Sequence, residues 1–217
     1  MTITASPTTL TRIRLNRHNP TARRDLADAF TLHKTLMRLV PDSLGPSPRQ
    51  QAGLLFRLDH DYDDPTLLIQ TAAPPDLTRL PAGYGTAQTR DLTRLLNNLT
   101  PGHLIRYRIT ANATVSRLAP EDRYPGSKKR GTITPLYGEQ ALAWWHRRAA
   151  DDAGLHLQTA EATPARPARR SGKPIHVLTR FDGTATITHP HLLLTALTEG
   201  IGRGKPYGAG LLTLAPA

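Results

Sequence analysis

Cysteine is absent from this chain, which excludes disulfides, thiolate zinc sites and cysteine catalysis. Long apolar runs are missing too: none approaches the roughly 18 residues of a membrane span. Residues 1–10 also lack the basic start and apolar centre of a secretory leader. A soluble, cytoplasmic protein with no membrane partner is expected. Acidic side chains are scarce beside basic ones, 17 against 28, leaving a net charge of +11. Such an excess points to a polyanionic partner and says nothing of the fold. Two familiar phosphate loops are missing from the glycine-rich stretch near the C-terminus, Gly200-Ile-Gly-Arg-Gly-Lys205. The P-loop needs Ser or Thr after Gly-Lys, and Pro206 stands there. The dinucleotide fingerprint needs a βαβ unit downstream, but only a short strand over 209–214 can follow.

That stretch remains the most distinctive feature. Gly200, Gly202, Gly204, Gly208 and Gly210 give a backbone free to take positive φ, while Arg203 and Lys205 supply charge. Two readings stay open, a cradle for phosphate or a tight helix-to-strand connection. If phosphate binds, loop N–H groups, Arg203 and Lys205 must hold it, because the preceding helix C-terminus repels anions.

The 217 residues are enough for one large domain or two of about 100 residues, each with its own core. Leu10 to Leu15 alternates apolar and basic residues, a half-buried strand with Arg12 and Arg14 outward. A helix is expected over 22–40, ending before Pro41. It turns Ala29, Leu32, Leu36, Leu39 and Val40 inward and sets His33 between the core and a flank of Arg23, Lys34 and Arg38. A histidine so placed is either a packed core residue or a catalyst. Strands are expected over 54–59 and 66–71, joined by an acidic turn that lacks the Gly and closing Glu of a calcium loop. A proline-rich connection, a short helix over 91–99 and a strand over 103–115 complete a β-α-β-β-α-β series, the ferredoxin-like arrangement. The domains are thus expected at 1–118 and 136–217, with a basic linker over 119–135.

In the second part a helix is expected over 138–154, with Trp144 and Trp145 in the core. Strands follow over 155–160 and 175–181, then a turn at Asp182-Gly183, a strand over 184–187 and a helix capped by Thr188. Between the first two of these strands, Arg166, Arg169, Arg170 and Lys173 form either a solvated loop or a hairpin arm for a nucleic-acid groove. His189 and His191 have no third ligand in spacing, so no metal or other cofactor is expected.

Four segments carry a family resemblance: Ala22-Arg-Arg-Asp-Leu-Ala27 leading to Leu32-His-Lys-Thr-Leu36; Ala143-Trp-Trp-His-Arg-Arg148; Ser171-Gly-Lys173 before Phe181-Asp-Gly183; and Gly200 to Lys205 continuing into Tyr207-Gly-Ala-Gly-Leu-Leu212. Taken in order, they resemble the CasE (Cse3) family of CRISPR-associated endoribonucleases from type I-E systems. The resemblance implies two tandem ferredoxin-like (RRM-like) domains. It also implies metal-independent cleavage of CRISPR repeat RNA at the hairpin base, and retention of the product in the Cascade complex with its other subunits. It makes His33 the catalytic residue, and it makes Arg23, Arg24, Lys34, Arg169, Arg170, Lys173, Arg203 and Lys205 RNA-binding residues. Some family members have a tyrosine one turn before the histidine; here Phe30 stands there.

Overall fold

The computed structural model describes residues 6–60, 65–118 and 131–217. The period-2 pattern forms β1 (Thr9–Leu15), which buries Thr9, Thr11, Ile13 and Leu15 and exposes Arg12 and Arg14. The expected long helix is two. Asn19 caps α1 (Pro20–Ala27), with Pro20 pre-set for the first turn. Asp28 then leaves helical geometry (φ −138°, ψ 111°) and caps α2 (Ala29–Met37), accepting from the N–H of Phe30 at 2.9 Å and of Thr31 at 3.0 Å. Helical periodicity runs through this one-residue break and does not reveal it.

After α3 (Pro48–Gln51) come β2 (Leu55–Asp59), β3 (Thr66–Thr71) and β4 (Gly85–Asp91), in an antiparallel sheet ordered β2-β3-β1-β4. The closing strand β4 falls within the expected proline-rich connection. It is an almost wholly exposed edge strand of polar residues, so it carries no apolar alternation. Between β3 and β4 the second helix of the unit has shrunk to a 3₁₀ turn, Leu77–Arg79.

The short helix α4 (Thr93–Asn97) and the strand β5 (Leu104–Ala111) therefore lie beyond the first sheet, and β5 opens the second one. This corrects the assignment of that strand to the first unit: the change of sheet falls between 91 and 104, ahead of residue 118. A small ladder pairs β6 (Thr114–Arg117) with β7 (Thr132–Pro135). Most of the expected basic linker, 119–130, lies outside the described residues, as does 61–64 of the acidic turn. The series continues with α5 (Gly138–Asp151), β8 (Leu155–Pro164), a hairpin of β9 (Ala168–Arg170) and β10 (Lys173–His176), β11 (Thr179–Ile187), α6 (Pro190–Glu199) and β12 (Leu212–Pro216). The second sheet is ordered β12-β5-β11-β8 and is antiparallel throughout. Both sheets thus have the ferredoxin-like strand order, and the chain is an α+β pair of such units.

Two expectations in the second unit are corrected. Asp182-Gly183 is not a turn but the middle of β11; a Cβ on Gly183 would stand 2.1 Å from the Thr159 carbonyl, so glycine lets β8 approach. Thr188 does not cap α6, because its hydroxyl donates to the Gly154 carbonyl at 2.7 Å and His189 takes the cap position. Trp144 and Trp145 are core residues, with ring centroids 6.1 and 5.6 Å from Phe181.

The two units are joined by buried polar contacts. Arg57 on β2 holds Asp59 through Nε and Nη2 (2.8 and 3.1 Å), and its Nη1 donates to the Arg108 carbonyl and the Thr213 hydroxyl at 3.1 and 2.8 Å. The Gln70 amide donates to the Leu197 carbonyl at 2.6 Å, satisfying one of the end carbonyls of α6.

Candidate functional site

His33 stands in the middle of α2, whose orientation is set by a buried knot at Asp25. The Asp25 carboxylate accepts from Thr35 Oγ1 at 2.6 Å and from the Tyr84 hydroxyl at 3.0 Å, tying α1, α2 and the start of β4 together. Burial and the neighbouring Asp25 charge hold the Tyr84 hydroxyl well above its ordinary pKa, so it stays a donor. His33 lines a surface pocket of about 330 Å³ together with Met37, Pro48, Arg49 and Pro206. Its Nδ1 is buried and makes no hydrogen bond to any described residue. Burial, and secondarily the positive charge of Arg49, lowers the imidazole below the ordinary histidine pKa. The neutral ring therefore dominates at neutral pH, the form that accepts a proton.

The glycine-rich turn reaches this pocket because its backbone is left-handed where it must bend. Gly204 and Gly208 (both φ 85°) flank a 3₁₀ turn, Lys205–Tyr207, that packs on α2. Gly208 lies against Phe56, where an added Cβ would meet the ring at 3.1 Å. Gly200, Gly202 and Gly210 also take positive φ. The turn is braced from within: the N–H groups of Tyr207 and Ala209 donate to the Gly204 carbonyl, that of Ile201 to Gly210, and that of Gly210 to Thr110. These bonds fix the shape of the turn. Arg203 is exposed, whereas Lys205 is half-buried, its ammonium lowered first by burial and next by Arg49.

The basic segment is a hairpin. Ser171 (φ 50°) and Gly172 (φ 77°) make a two-residue turn between β9 and β10 with both central residues left-handed, the geometry that suits a twisted ribbon. Arg169, Arg170 and Lys173 are exposed on it. The hairpin is docked on the catalytic helix candidate: the Ser171 N–H donates to Asp28 Oδ2 at 2.6 Å, a bond that leads the causes holding the Asp28 carboxyl below its usual pKa. Arg170 Cζ and Lys34 Nζ both lie over the Phe30 ring, at 4.3 and 4.5 Å from its centroid.

The structure thus brings His33 and the glycine-rich turn to one pocket and sets the hairpin beside them. Arg23 and Arg24 are exposed on α1 and do not line that pocket; Arg24 pairs with Asp25 at 3.2 Å. Lys34 and Arg38 do not line it either, and the glycine-rich turn enters it through Pro206, with Arg203 and Lys205 outside the lining. Tyr207 packs on His176 at 5.1 Å between ring centroids and faces a separate cleft of about 350 Å³ between the units. Nothing in the sequence marks Arg49. It lies in a Pro/Ser-rich stretch with no periodicity, and only the tertiary fold sets it beside His33.

The family described as CRISPR associated protein matches residues 9–216. The chain is 31% identical to the CRISPR-associated endoribonuclease Cse3 of Thermus thermophilus, over 95% of this chain and 99% of that protein. It is 27% identical to the CRISPR system Cascade subunit CasE of Escherichia coli, over 87% and 92% respectively. A structure of Thermus thermophilus Cse3 bound to an RNA representing a pre-cleavage complex superimposes with a TM-score of 0.78 at 28% identity, covering 96% of this chain and 99% of that one. A match that runs from β1 to β12, with a relative above 30% identity aligned over nearly the whole of both chains, means that the protein belongs to the CasE (Cse3) family of CRISPR-associated proteins.

Proposed function

We propose that this protein is an endoribonuclease that cuts CRISPR precursor RNA at the base of the repeat hairpin and keeps the guide RNA as a subunit of a type I-E Cascade complex in the cytoplasm. The observation that carries this reading is the shared pocket of His33 and the glycine-rich turn. Support comes from relatives named as Cse3 endoribonuclease and Cascade subunit CasE, and from the fold shared with an RNA-bound pre-cleavage structure. Among the described residues no helix is long and apolar enough to cross a membrane.

RNA supplies the nucleophile. The neutral His33 imidazole takes the proton of the 2′-OH beside the scissile phosphate, and the 2′-oxygen attacks phosphorus in line. The bond from phosphorus to the 5′-oxygen breaks, leaving a 2′,3′-cyclic phosphate on one product and, once that oxygen takes a proton, a 5′-OH on the other. The nucleophile is generated without metal, and charge on the phosphorane is met by fixed cations. Arg169, Arg170 and Lys173 on the hairpin, with Arg203 and Lys205 on the turn, hold the RNA backbone; exposed Arg23, Arg24 and Lys34 extend that surface.

A second reading, an RNA-hairpin subunit that binds without cutting, is favoured by one observation: Phe30 has no hydroxyl to donate where some family members have tyrosine. Incubating the native repeat RNA with the protein in excess EDTA separates the two. Cleavage at one position with a cyclic phosphate end is expected; tight binding with intact RNA would select the second reading.

A further inference from the structure

We propose that Arg49 is a second catalytic residue, which together with Lys205 receives the non-bridging oxygens of the phosphodiester presented to His33. This rests on reading His33 as the acid–base catalyst. Arg49, which follows Pro48 on α3, lines the pocket with His33, and so does Pro206, the residue after Lys205. Each cation is held by packing. Arg49 is half-buried, with Nη1 donating to the Leu54 carbonyl at 3.0 Å. A Cβ on Gly210 would stand 3.4 Å from Lys205 Cγ, so the lysine stem runs along this glycine.

Neither cation has an ion-pair partner among the described residues. For Arg49, burial is the sole cause lowering its pKa, with no acid offsetting it. For Lys205, burial and the like charge of Arg49 outweigh the pull of Glu199 and Asp152. A half-buried guanidinium beside His33 with no acid to offset it, and a half-buried ammonium on the turn packed against α2, are unfavourable charges that an anion bound at the pocket relieves. A phosphodiester next to the imidazole is such an anion, and its negative charge grows as the 2′-oxygen attacks. The other basic residues near His33 are engaged elsewhere: Lys34 and Arg170 lie over Phe30, and Arg38 ends α2 outside the pocket.

The test is single-turnover cleavage of the repeat RNA by Arg49→Gln and Lys205→Gln, with hairpin affinity and the pH profile measured in parallel. Arg49→Gln is expected to cut about 10²- to 10³-fold more slowly at saturating RNA, as for loss of one transition-state donor, with affinity changed only a few fold. The charged groups around His33 are Arg49 in the pocket, Lys205 on the turn that packs on α2, and Lys34 and Arg170 by Phe30. Losing Arg49 raises the His33 pKa, so the acid limb of kcat/KM moves to higher pH. Lys205→Gln is expected to slow cleavage in the same sense, and Arg49→Lys to recover part of the rate. A wild-type rate in both glutamine variants overturns the proposal, as does a slower rate matched by an equal loss of affinity with an unmoved acid limb. Failure of the wild-type protein to cut would instead remove the nuclease reading on which this rests.

Discussion

Replacing His33 by alanine is expected to slow cleavage of the repeat RNA by about 10²- to 10⁴-fold, the range for losing a positioned acid–base group, while the Kd for the hairpin stays within a few fold. The asymmetry follows from where the side chain sits. The imidazole lines a pocket whose other walls remain, and the exposed cations Arg169, Arg170, Lys173 and Arg203 are untouched by the change. Its truncation also breaks no hydrogen bond at Nδ1, which has no partner among the described residues. Quantitative binding at fixed salt and single-turnover kinetics read the two effects separately. Unchanged cleavage would remove His33 from the mechanism, and a parallel loss of binding and rate would make it a structural residue.

Arg57→Ala is expected to produce the largest loss of stability of any single change to the contacts between units, about 3–5 kcal/mol for breaking a buried charged network. The side chain is 3% exposed and serves both units, pairing with Asp59 on β2 and donating to Arg108 and Thr213 on the second sheet. Truncation removes both short hydrogen bonds to the largely buried Asp59 carboxylate, leaving it, among the described residues, only Arg108 Nη1 at 4.0 Å, and deprives the Thr213 and Arg108 acceptors of this donor. At an m-value near ~2 kcal/mol/M this corresponds to a fall of roughly 1.5–2.5 M in the urea midpoint. Replacing Arg57 and Asp59 together by apolar residues is expected to recover much of the loss, since no buried charge then lacks its partner. The consequence reaches the pocket, because Arg57 also approaches the carbonyl of Leu211, just beyond the glycine-rich turn. A midpoint for Arg57→Ala within about 0.3 M of the parent would show that the units are held by packing alone.

Much of this architecture was legible in the sequence where burial is one-sided. β1 reads directly from Thr11, Ile13 and Leu15 alternating with Arg12 and Arg14, and β2 and β3 from their apolar content between turn residues. Where burial is weak the pattern fails. β4 is nearly all exposed, so its polar residues carry no strand pattern, and the better-patterned β5 reads from sequence as the closing strand of the first sheet. The break at Asp28 was hidden because Ala29 and Leu32 continue the apolar stripe of α1, although Asp is a favoured cap residue. Gly183 suggested a turn, whereas it serves a close strand approach. In the site, the four segments led to His33, the hairpin and the glycine-rich turn. Arg49 was out of reach, because its only local company is Pro46, Ser47, Pro48 and two glutamines, and its meaning comes from the fold.

The claim that RNA attacks itself under the control of His33 is tested most directly by one substitution in the substrate. A repeat RNA carrying a single 2′-deoxy nucleotide 5′ to the scissile phosphate should bind the protein with the affinity of the all-ribose strand and remain intact, while the all-ribose strand is cut under the same conditions. Cleavage of the deoxy strand at that phosphate would contradict the account, because an external nucleophile would then be required.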